Sequence, residues 1–531
     1  MAFCVGCEFA ERNAVACETH RELYCRRQTN DGSHITMEGV DLLDNMNRKI
    51  GRATLWSSGT EVMAKLVSPI VNMVLARLLL PEAFGVVATI TLVISFAEVF
   101  TAAGFQKYII QHEFANDEEL DKSTNVAFWT NLGLSTLACG IIFLFRNKIA
   151  VLVGSPGLGI PIAIASLLIL LHAFSSIQMA RYKRDLDFKT LFFVRIGTTL
   201  IPLIVTIPLA IALRNFWALL IGNLASQLFN AIVLTWKAKW KIKFYYNFSL
   251  FKDMFSFTSW TLLESISIWL TSNIDIFIIS QYLTGHYVGL YKTSMSTVGS
   301  YMSLVEASIV PVLFSALSRH QNNETEFKST YYMFQRLTSV LVVPMGVGIF
   351  VFSDLVTQIL LGDAWMEASG FIGLWGLTSA LSIILTSFSS EVIRSKGKPM
   401  ISLIVQLTQI VVLVPVLLVF KNFGFQSLYV ARSLVRVELM TALCIVLCVL
   451  FKFKFGKILK NIAPAIISAV IMGVFGYMIK AAFAGVMWQF VAIFLCVIVY
   501  FAVLLSCFPN LRRELLATSY AKRLIGFVKK K

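Results

Sequence analysis

The hydrophobic pattern of the chain is a succession of apolar runs of about 20 residues, separated by short polar turns. Each run is long enough to cross a hydrocarbon core of about 30 Å as a helix. The opening stretch, Trp56 to Phe105, holds two such runs joined by a turn at Leu80-Pro81-Glu82-Ala83. Pro81 stops the first helix there. The pattern therefore predicts a membrane-spanning helical hairpin.

A second hairpin with the same spacing follows later in the chain. Trp56 to Gly85 and Trp260 to Gly289 both span 29 positions, which places Pro81-Glu82 over Gly285-His286. Together with matching apolar runs on either side, this spacing predicts two repeats of six helices. An even number of helices gives both repeats the same orientation, related by an axis along the membrane normal.

Twelve further apolar runs bring the predicted number of membrane-spanning helices to about fourteen. They lie at about 123–145, 160–180, 191–212, 215–236, 256–281, 287–311, 332–352, 369–390, 400–420, 424–451, 461–480 and 486–507. The predicted fold class is all-α, a polytopic membrane protein with two six-helix lobes as parallel repeats plus two C-terminal helices. The predicted parts are a polar, disordered N-terminal extension (1–46), an N-terminal lobe (47–250), a C-terminal lobe (251–451), and helices 13 and 14 with a basic cytoplasmic tail (452–531).

Composition supports this class. Hydrophobic residues make up 57% of the chain and charged residues 14%, with a mean hydropathy of +0.74, whereas soluble domains carry about 25% charged residues. The net charge of +16 does not indicate nucleic acid as a partner, because the cations lie in short loops beside the spans. The predicted inner loops hold 20 Lys and Arg and the outer loops four. This asymmetry predicts that both termini are cytoplasmic.

The sequence favours a transporter over an enzyme and predicts no cofactor. It contains no nucleotide-binding P-loop, no nucleophile elbow and no metal-ligand cluster in the spans, and no predicted outer loop exceeds about 15 residues. The N-terminal extension holds Cys4, Cys7, Cys17 and Cys25 with His20. These residues could bind zinc, but their spacing matches no common zinc finger and favours a disordered tail. Met37 or Met46 could be the true start.

Charged residues inside the apolar runs are the candidate functional residues, because charges at membrane depth are costly and usually face a partner or a water-filled cavity. Lys65 and Glu98 lie at similar depth and could pair, as could Asp275 and Lys292. The predicted cavity residues are Lys65, Glu98, Glu264, Asp275, Lys292 and Glu306. Arg432 and Arg436 are four positions apart, hence on one helix face. The sequence alone assigns these two arginines no role.

Three segments carry a resemblance to a known family: residues 76–111, the loop ARYKRDLDFKTL at 180–191, and NIDIFIISQYLTGHYVGLYKTS at 273–294. They resemble the Wzx-type polysaccharide flippases of the multidrug/oligosaccharidyl-lipid/polysaccharide exporter superfamily. The resemblance covers about 50–510. Lys292 departs from it, because the family pattern has a small or polar residue there.

The resemblance implies a cavity lined by helices one, two, seven and eight. It also implies that undecaprenyl-diphosphate-linked oligosaccharide is flipped from the inner to the outer leaflet of the cytoplasmic membrane by alternating access, with possible coupling to an ion. The implied partners are the lipid-linked oligosaccharide, membrane lipids, and a polysaccharide polymerase or export machinery. A lipid II-type flippase and a small-molecule cation antiporter of the same superfamily are the alternatives.

Overall fold

The computed structural model describes residues 37–512 except residues 103, 239, 484 and 510. Side chains are described for most of these residues, but not for 37–51 or for Glu264. The N-terminal cysteines and the basic C-terminal tail lie outside the described residues. The part of the chain that is described contains helices and no strand, which confirms the predicted all-α class.

Fourteen long helices follow one another in residues 37–512. They are α1 Met37–Leu78, α2 Pro81–Ala102, α3 Asp117–Leu152, α4 Gly159–Arg184, α5 Phe188–Leu213, α6 Trp217–Trp236, α7 Phe248–Tyr282, α8 Gly285–Arg319, α9 Glu324–Val351, α10 Asp363–Ser395, α11 Pro399–Phe420, α12 Gly424–Phe451, α13 Phe455–Ala482 and α14 Val486–Cys507. Within the described part, 13 helices are long and apolar enough to cross a membrane, and α1 is not among these. Since α1 contains the first predicted span, the count is consistent with about fourteen spans.

The described residues form two compact units, which divide between Gly289 and Leu290 inside α8. In unit one, α1 packs on α5, and α4 packs on both α3 and α6. In unit two, α9 packs on α10 and α13, α13 on α14, and α12 on α10 and α11. The predicted lobe boundary at 250/251 remains a prediction.

Several helices begin earlier than predicted because short polar residues cap them. Asn116 accepts a hydrogen bond from the backbone N–H of Glu119 and starts α3 at Asp117, six residues before the run predicted at about 123–145. Asn247 starts α7 in the same way, by accepting from the N–H of Ser249. Such side chains satisfy N–H groups that the first helical turn leaves free.

The segment between the opening hairpin and α3 also contains a short helix, Phe105–Gln111. Its last carbonyl groups are held by Arg184, whose Nη1 donates to the oxygens of Ile109 (2.9 Å) and His112 (2.7 Å). The same guanidinium lies 4.7 Å from the ring centroid of Phe114. Cations are favoured at the C-terminal end of a helix, so Arg184 orders a segment that has little apolar pattern of its own.

Two helices contain a wide, π-helical turn. In α5 it covers Pro202–Thr206, and in α10 it covers Ile383–Ser387, where the N–H of Phe388 donates to the carbonyl oxygen of Ile383. A second short helix, Ser353–Leu360, joins α9 to α10. Single π-helical turns are frequent at functional sites. The turn in α10 ends at Ser387 and follows Ser379 by one helical turn, and both serines make polar contacts described below.

Candidate functional site

Unit one contains two of the predicted cavity residues with described side chains on α1 and α2. Lys65 is half-buried on α1. Glu98 is half-buried on α2, where its Oε1 lies 3.6 Å from Nδ1 of His172 on α4. The structure thus gives Glu98 an imidazole partner. The pairing of Lys65 with Glu98 remains a prediction.

One turn before Glu98, helix α2 is joined to α7 by an indole. Nε1 of Trp269 donates to Oγ of Ser95 at 3.0 Å, and the Trp269 ring lies 4.7 Å from the ring of Phe96. An indole N–H within apolar helices requires an acceptor. This contact therefore fixes the side of α2 that carries Ser95 against α7.

Asp275 on α7 is almost completely buried, and its Oδ1 accepts a hydrogen bond from the backbone N–H of Ile276 at 2.8 Å. The Glu264 side chain lies outside the described residues. Lys292 is half-buried on α8, in the part of that helix that belongs to unit two. The predicted pairing of Asp275 with Lys292 joins residues of different units and remains a prediction.

Unit two brings Glu306 together with a group of residues that the sequence did not connect. Oγ of Ser387, the last residue of the wide turn in α10, donates to Oε1 of Glu306 at 2.7 Å. Glu306 is half-buried on α8. A carboxylate within apolar helices needs such donors, because leaving a charge there without compensation is costly.

Two arginines of α12 lie over the same aromatic ring. The Cζ atom of Arg436 is 4.0 Å from the Trp375 ring centroid, and that of Arg432 is 5.2 Å from it. Arg436 also donates through Nη1 to Oγ of Ser379 at 2.7 Å. Trp375 and Ser379 both belong to α10 and are buried. The ring face attracts cations, so α10 holds both guanidiniums in place.

The wide turn in α10 explains how this helix contacts both Arg436, through Ser379, and Glu306, through Ser387. Ser379 and Ser387 are eight positions apart, and in a regular α-helix they would point about 80° away from each other. A π-helical turn closes each hydrogen bond one residue later and turns the chain less per residue. Ser387 is thereby rotated back toward the face that carries Ser379.

We call this group the guanidinium cluster. Its members are Glu306, Trp375, Ser379, Ser387, Arg432 and Arg436. Glu306 lies within electrostatic range of Arg436. The cluster holds two guanidiniums and one carboxylate inside an apolar helical unit. Chemically, the cluster can attract an anion and offer it planar sets of N–H donors.

An aromatic wall supports the cluster on the Trp375 side. The Phe371 ring stacks on Tyr291 (5.2 Å between centroids) and on Tyr429 (5.3 Å), and it contacts Trp375 at 5.5 Å. Phe371 is fully buried. This wall holds α8, α10 and α12 together one turn from the arginines.

The chain matches a family model described as "Polysaccharide biosynthesis protein" over residues 74–370. It is 24% identical over 354 residues to the succinoglycan biosynthesis transport protein ExoT of Rhizobium meliloti (strain 1021), covering 66% of this chain and 69% of that protein. It is 21% identical over 316 residues to the lipopolysaccharide biosynthesis protein WzxC of Escherichia coli (strain K12), covering 58% and 63%.

Two solved structures share the fold. The lipid II flippase MurJ in an inward closed conformation superposes with a TM-score of 0.66 at 14% sequence identity, covering 85% of this chain and 98% of that one. An inward-facing multidrug resistance transporter of the MATE family gives a TM-score of 0.57 at 13% identity, covering 78% and 98%. These likenesses concern the arrangement of helices alone.

Proposed function

Because the chain belongs to the polysaccharide biosynthesis protein family, we propose that it is a flippase for a lipid-linked oligosaccharide. The substrate is undecaprenyl-diphosphate-linked oligosaccharide, which the protein moves from the inner to the outer leaflet of the cytoplasmic membrane by alternating access. Both termini lie in the cytoplasm in this proposal. The expected resemblance to Wzx-type flippases is confirmed by the family match and by the names of the relatives.

The observation that carries the proposal is the guanidinium cluster. Two guanidiniums held by buried aromatic and hydroxyl groups are costly in an apolar unit, and such charges mark substrate paths in membrane proteins. A diphosphate is the anionic part of the proposed substrate, and guanidiniums bind phosphate oxygens in a planar, bidentate way. Arg436 keeps donors beyond the one directed at Ser379.

The remaining charged residues have roles in the same proposal. Lys65 attracts the diphosphate from α1, while the lipid tail stays in the bilayer. Glu98, with His172 at 3.6 Å, and Glu306 are the carboxylates through which an ion or a proton could couple to transport. Protonation of a carboxylate in such a place changes the local charge by one unit at moderate cost.

A reconstituted assay tests the function directly. Purified protein is placed in liposomes that contain a fluorescent diphosphate-linked oligosaccharide lipid, and the outward movement of the fluorophore is measured with an impermeant quencher. Arg432→Gln with Arg436→Gln should reduce the rate about 10- to 100-fold, since a hydrogen bond to a charged group contributes about 1.5–3 kcal/mol. Arg319→Gln, at an exposed arginine on α8, is the matched control and should leave the rate unchanged.

Two results would contradict the proposal. The first is liposomes in which the protein is inserted but the fluorophore moves no faster than without protein. The second is equal transport of the same lipid without its diphosphate. Movement of a small organic cation in exchange for protons, without movement of the glycolipid, would favour the antiporter alternative.

A further inference from the structure

Helices α2 and α8 approach each other at their first turns without side chains between them. A Cβ atom added to Gly85 would overlap the carbonyl oxygen of Gly285 and would lie 2.9 Å from the backbone nitrogen of Gly289. A Cβ atom added to Gly289 would overlap the carbonyl oxygen of Pro81 and would lie 3.0 Å from the nitrogen of Gly85. Only glycine permits this distance between the two backbones.

The contact is reciprocal in the register of the internal repeat. Pro81, the first residue of α2, corresponds to Gly285, the first residue of α8, and Gly85 corresponds to Gly289. Gly85 contacts Gly285, and Gly289 contacts Pro81, so each of the two glycines contacts the first residue of the other helix. Such self-complementary contacts are the signature of a two-fold relation. The first turns of α2 and α8, which follow the turns of the two predicted hairpins, are therefore related by a local pseudo-two-fold axis.

A pair of equivalent residues crosses the same axis. Glu82 and His286 occupy matching positions in the repeat, and Nδ1 of His286 lies 3.6 Å from Oε1 of Glu82. Both side chains are partly exposed. An exposed pair of this kind contributes little to stability, so it does not by itself hold the two helix starts together.

The turn that follows α3 makes a second contact in which a glycine lies directly against the backbone of another helix. Gly154, which follows α3 and has φ of +70°, faces the last turn of α7. A Cβ atom on Gly154 would overlap the carbonyl oxygen of Ser280 and would lie 2.5 Å from the Cα atom of Gln281. Both ends of the α7–α8 turn are therefore held against other helices at glycine positions.

Helix α2 is held firmly behind this contact. The buried residues around its first turn join α1, α2, α5 and α6 and consist of Val71, Leu75, Leu79, Ala83, Ala210, Ala218 and Leu219. Packed apolar groups of this kind do not deform gradually. The first turn of α2 can therefore leave α8 only if the helices behind it move as one body.

We infer that the glycine contact of α2 and α8 is the gate that closes the cavity on the side of the hairpin turns. This inference rests on the proposed function and adds the closing element to it. The gate is shut in this structure, with Glu82 and His286 linked across it. It opens when the first turns of α2 and α8 separate, and glycine at both positions allows the backbones to seal without a side chain between them.

Cross-linking tests the gate without depending on the substrate. Glu82→Cys with His286→Cys is introduced into a chain whose nine native cysteines are replaced, and disulfide formation is measured in membranes with an oxidant. The closed contact should give an intramolecular cross-link, and each single-cysteine variant should give none. Adding Gly85→Ala should abolish the cross-link, whereas Gly299→Ala should preserve it, because a Cβ at Gly299 meets open space.

The same variants show whether the gate must open during transport. Oxidation of the cysteine pair should stop movement of the fluorescent glycolipid, and reduction should restore it. A fully cross-linked protein that transports as fast as the reduced protein would overturn the inference. So would Gly85→Ala protein that is inserted and cross-links like the parent chain, or one that fails to insert, since the contact would then be structural packing.

The two proposals fail in different ways. If no variant moves the glycolipid but Gly85→Ala still removes the cross-link and Gly299→Ala does not, the proposed substrate is wrong and the closed contact stands. If glycolipid moves normally in the locked protein, the substrate stands and the gate is rejected.

Discussion

The stacking of Arg436 on Trp375 should contribute measurably to the stability of unit two. The guanidinium lies 4.0 Å from the centroid of a buried ring. Cation–π pairs that are shielded from water contribute about 2 kcal/mol. At 25 °C this corresponds to a change of about 30-fold in the unfolding equilibrium, since about 1.4 kcal/mol is a factor of ten. The Trp375→Leu and Arg436→Gln changes should therefore not be additive.

A double-mutant cycle separates the interaction energy of Arg436 with Trp375 from the energy that each substitution loses in packing. The free energy of unfolding is measured in mixed micelles for the parent chain, Trp375→Leu, Arg436→Gln and the double variant. We expect a coupling energy of about 2 kcal/mol for Arg436 and a smaller one for Arg432, whose Cζ is 5.2 Å from the ring centroid. The exposed Arg319→Gln should be additive with Trp375→Leu. A coupling below about 0.5 kcal/mol for Arg436 would refute the stacking argument.

Three further predictions concern other parts of the chain. Lys65→Arg should keep most glycolipid transport and Lys65→Ala should lose it at unchanged membrane protein level; full rescue by Lys65→Ala with Glu98→Ala would show a structural pair instead. A reporter fused after Lys398 should report the cytoplasm, and an outside signal would contradict the proposed orientation. Lys480 Nζ lies 2.7 Å from Asp354 Oδ2 and holds the pKa of Asp354 below its usual value. The pair should therefore add to the free energy of unfolding at every pH above the ordinary aspartate pKa. This contribution should disappear as the pH falls through the lower pKa that Asp354 has in the folded state. Asp354→Asn should remove that part of the pH dependence, and an unchanged profile would show that the pair does not contribute.

The sequence predicted the fold well because hydrophobic length alone decides which segments cross a membrane. The register of the internal repeat, which stays a prediction, places Gly85 and Gly289 at equivalent positions, and in the structure each of them faces the helix of the other. Helix starts were less predictable. The capping residues Asn116 and Asn247 extend α3 and α7 beyond their apolar runs, and hydropathy does not register a cap.

The candidate site was predictable only in part. The spacing of Arg432 and Arg436 showed that they share a helix face, but nothing in the sequence pointed to Trp375 or Ser379 as the residues that hold them. Those contacts depend on how α10 packs on α12 and on a wide turn that hydrophobic periodicity does not reveal. The contact of His172 with Glu98 could not be predicted for the same reason, because it joins helices far apart in sequence.

The wide turn of α10 has a mechanical consequence. Helices bend readily at such turns. Ser379, which lies one turn before it, contacts Arg436, and Ser387, its last residue, contacts Glu306, so the two serines contact opposite charges. A change in the curvature of α10 would therefore alter the separation of these charges directly. Bending of this one helix would therefore change the electric field around the guanidinium cluster.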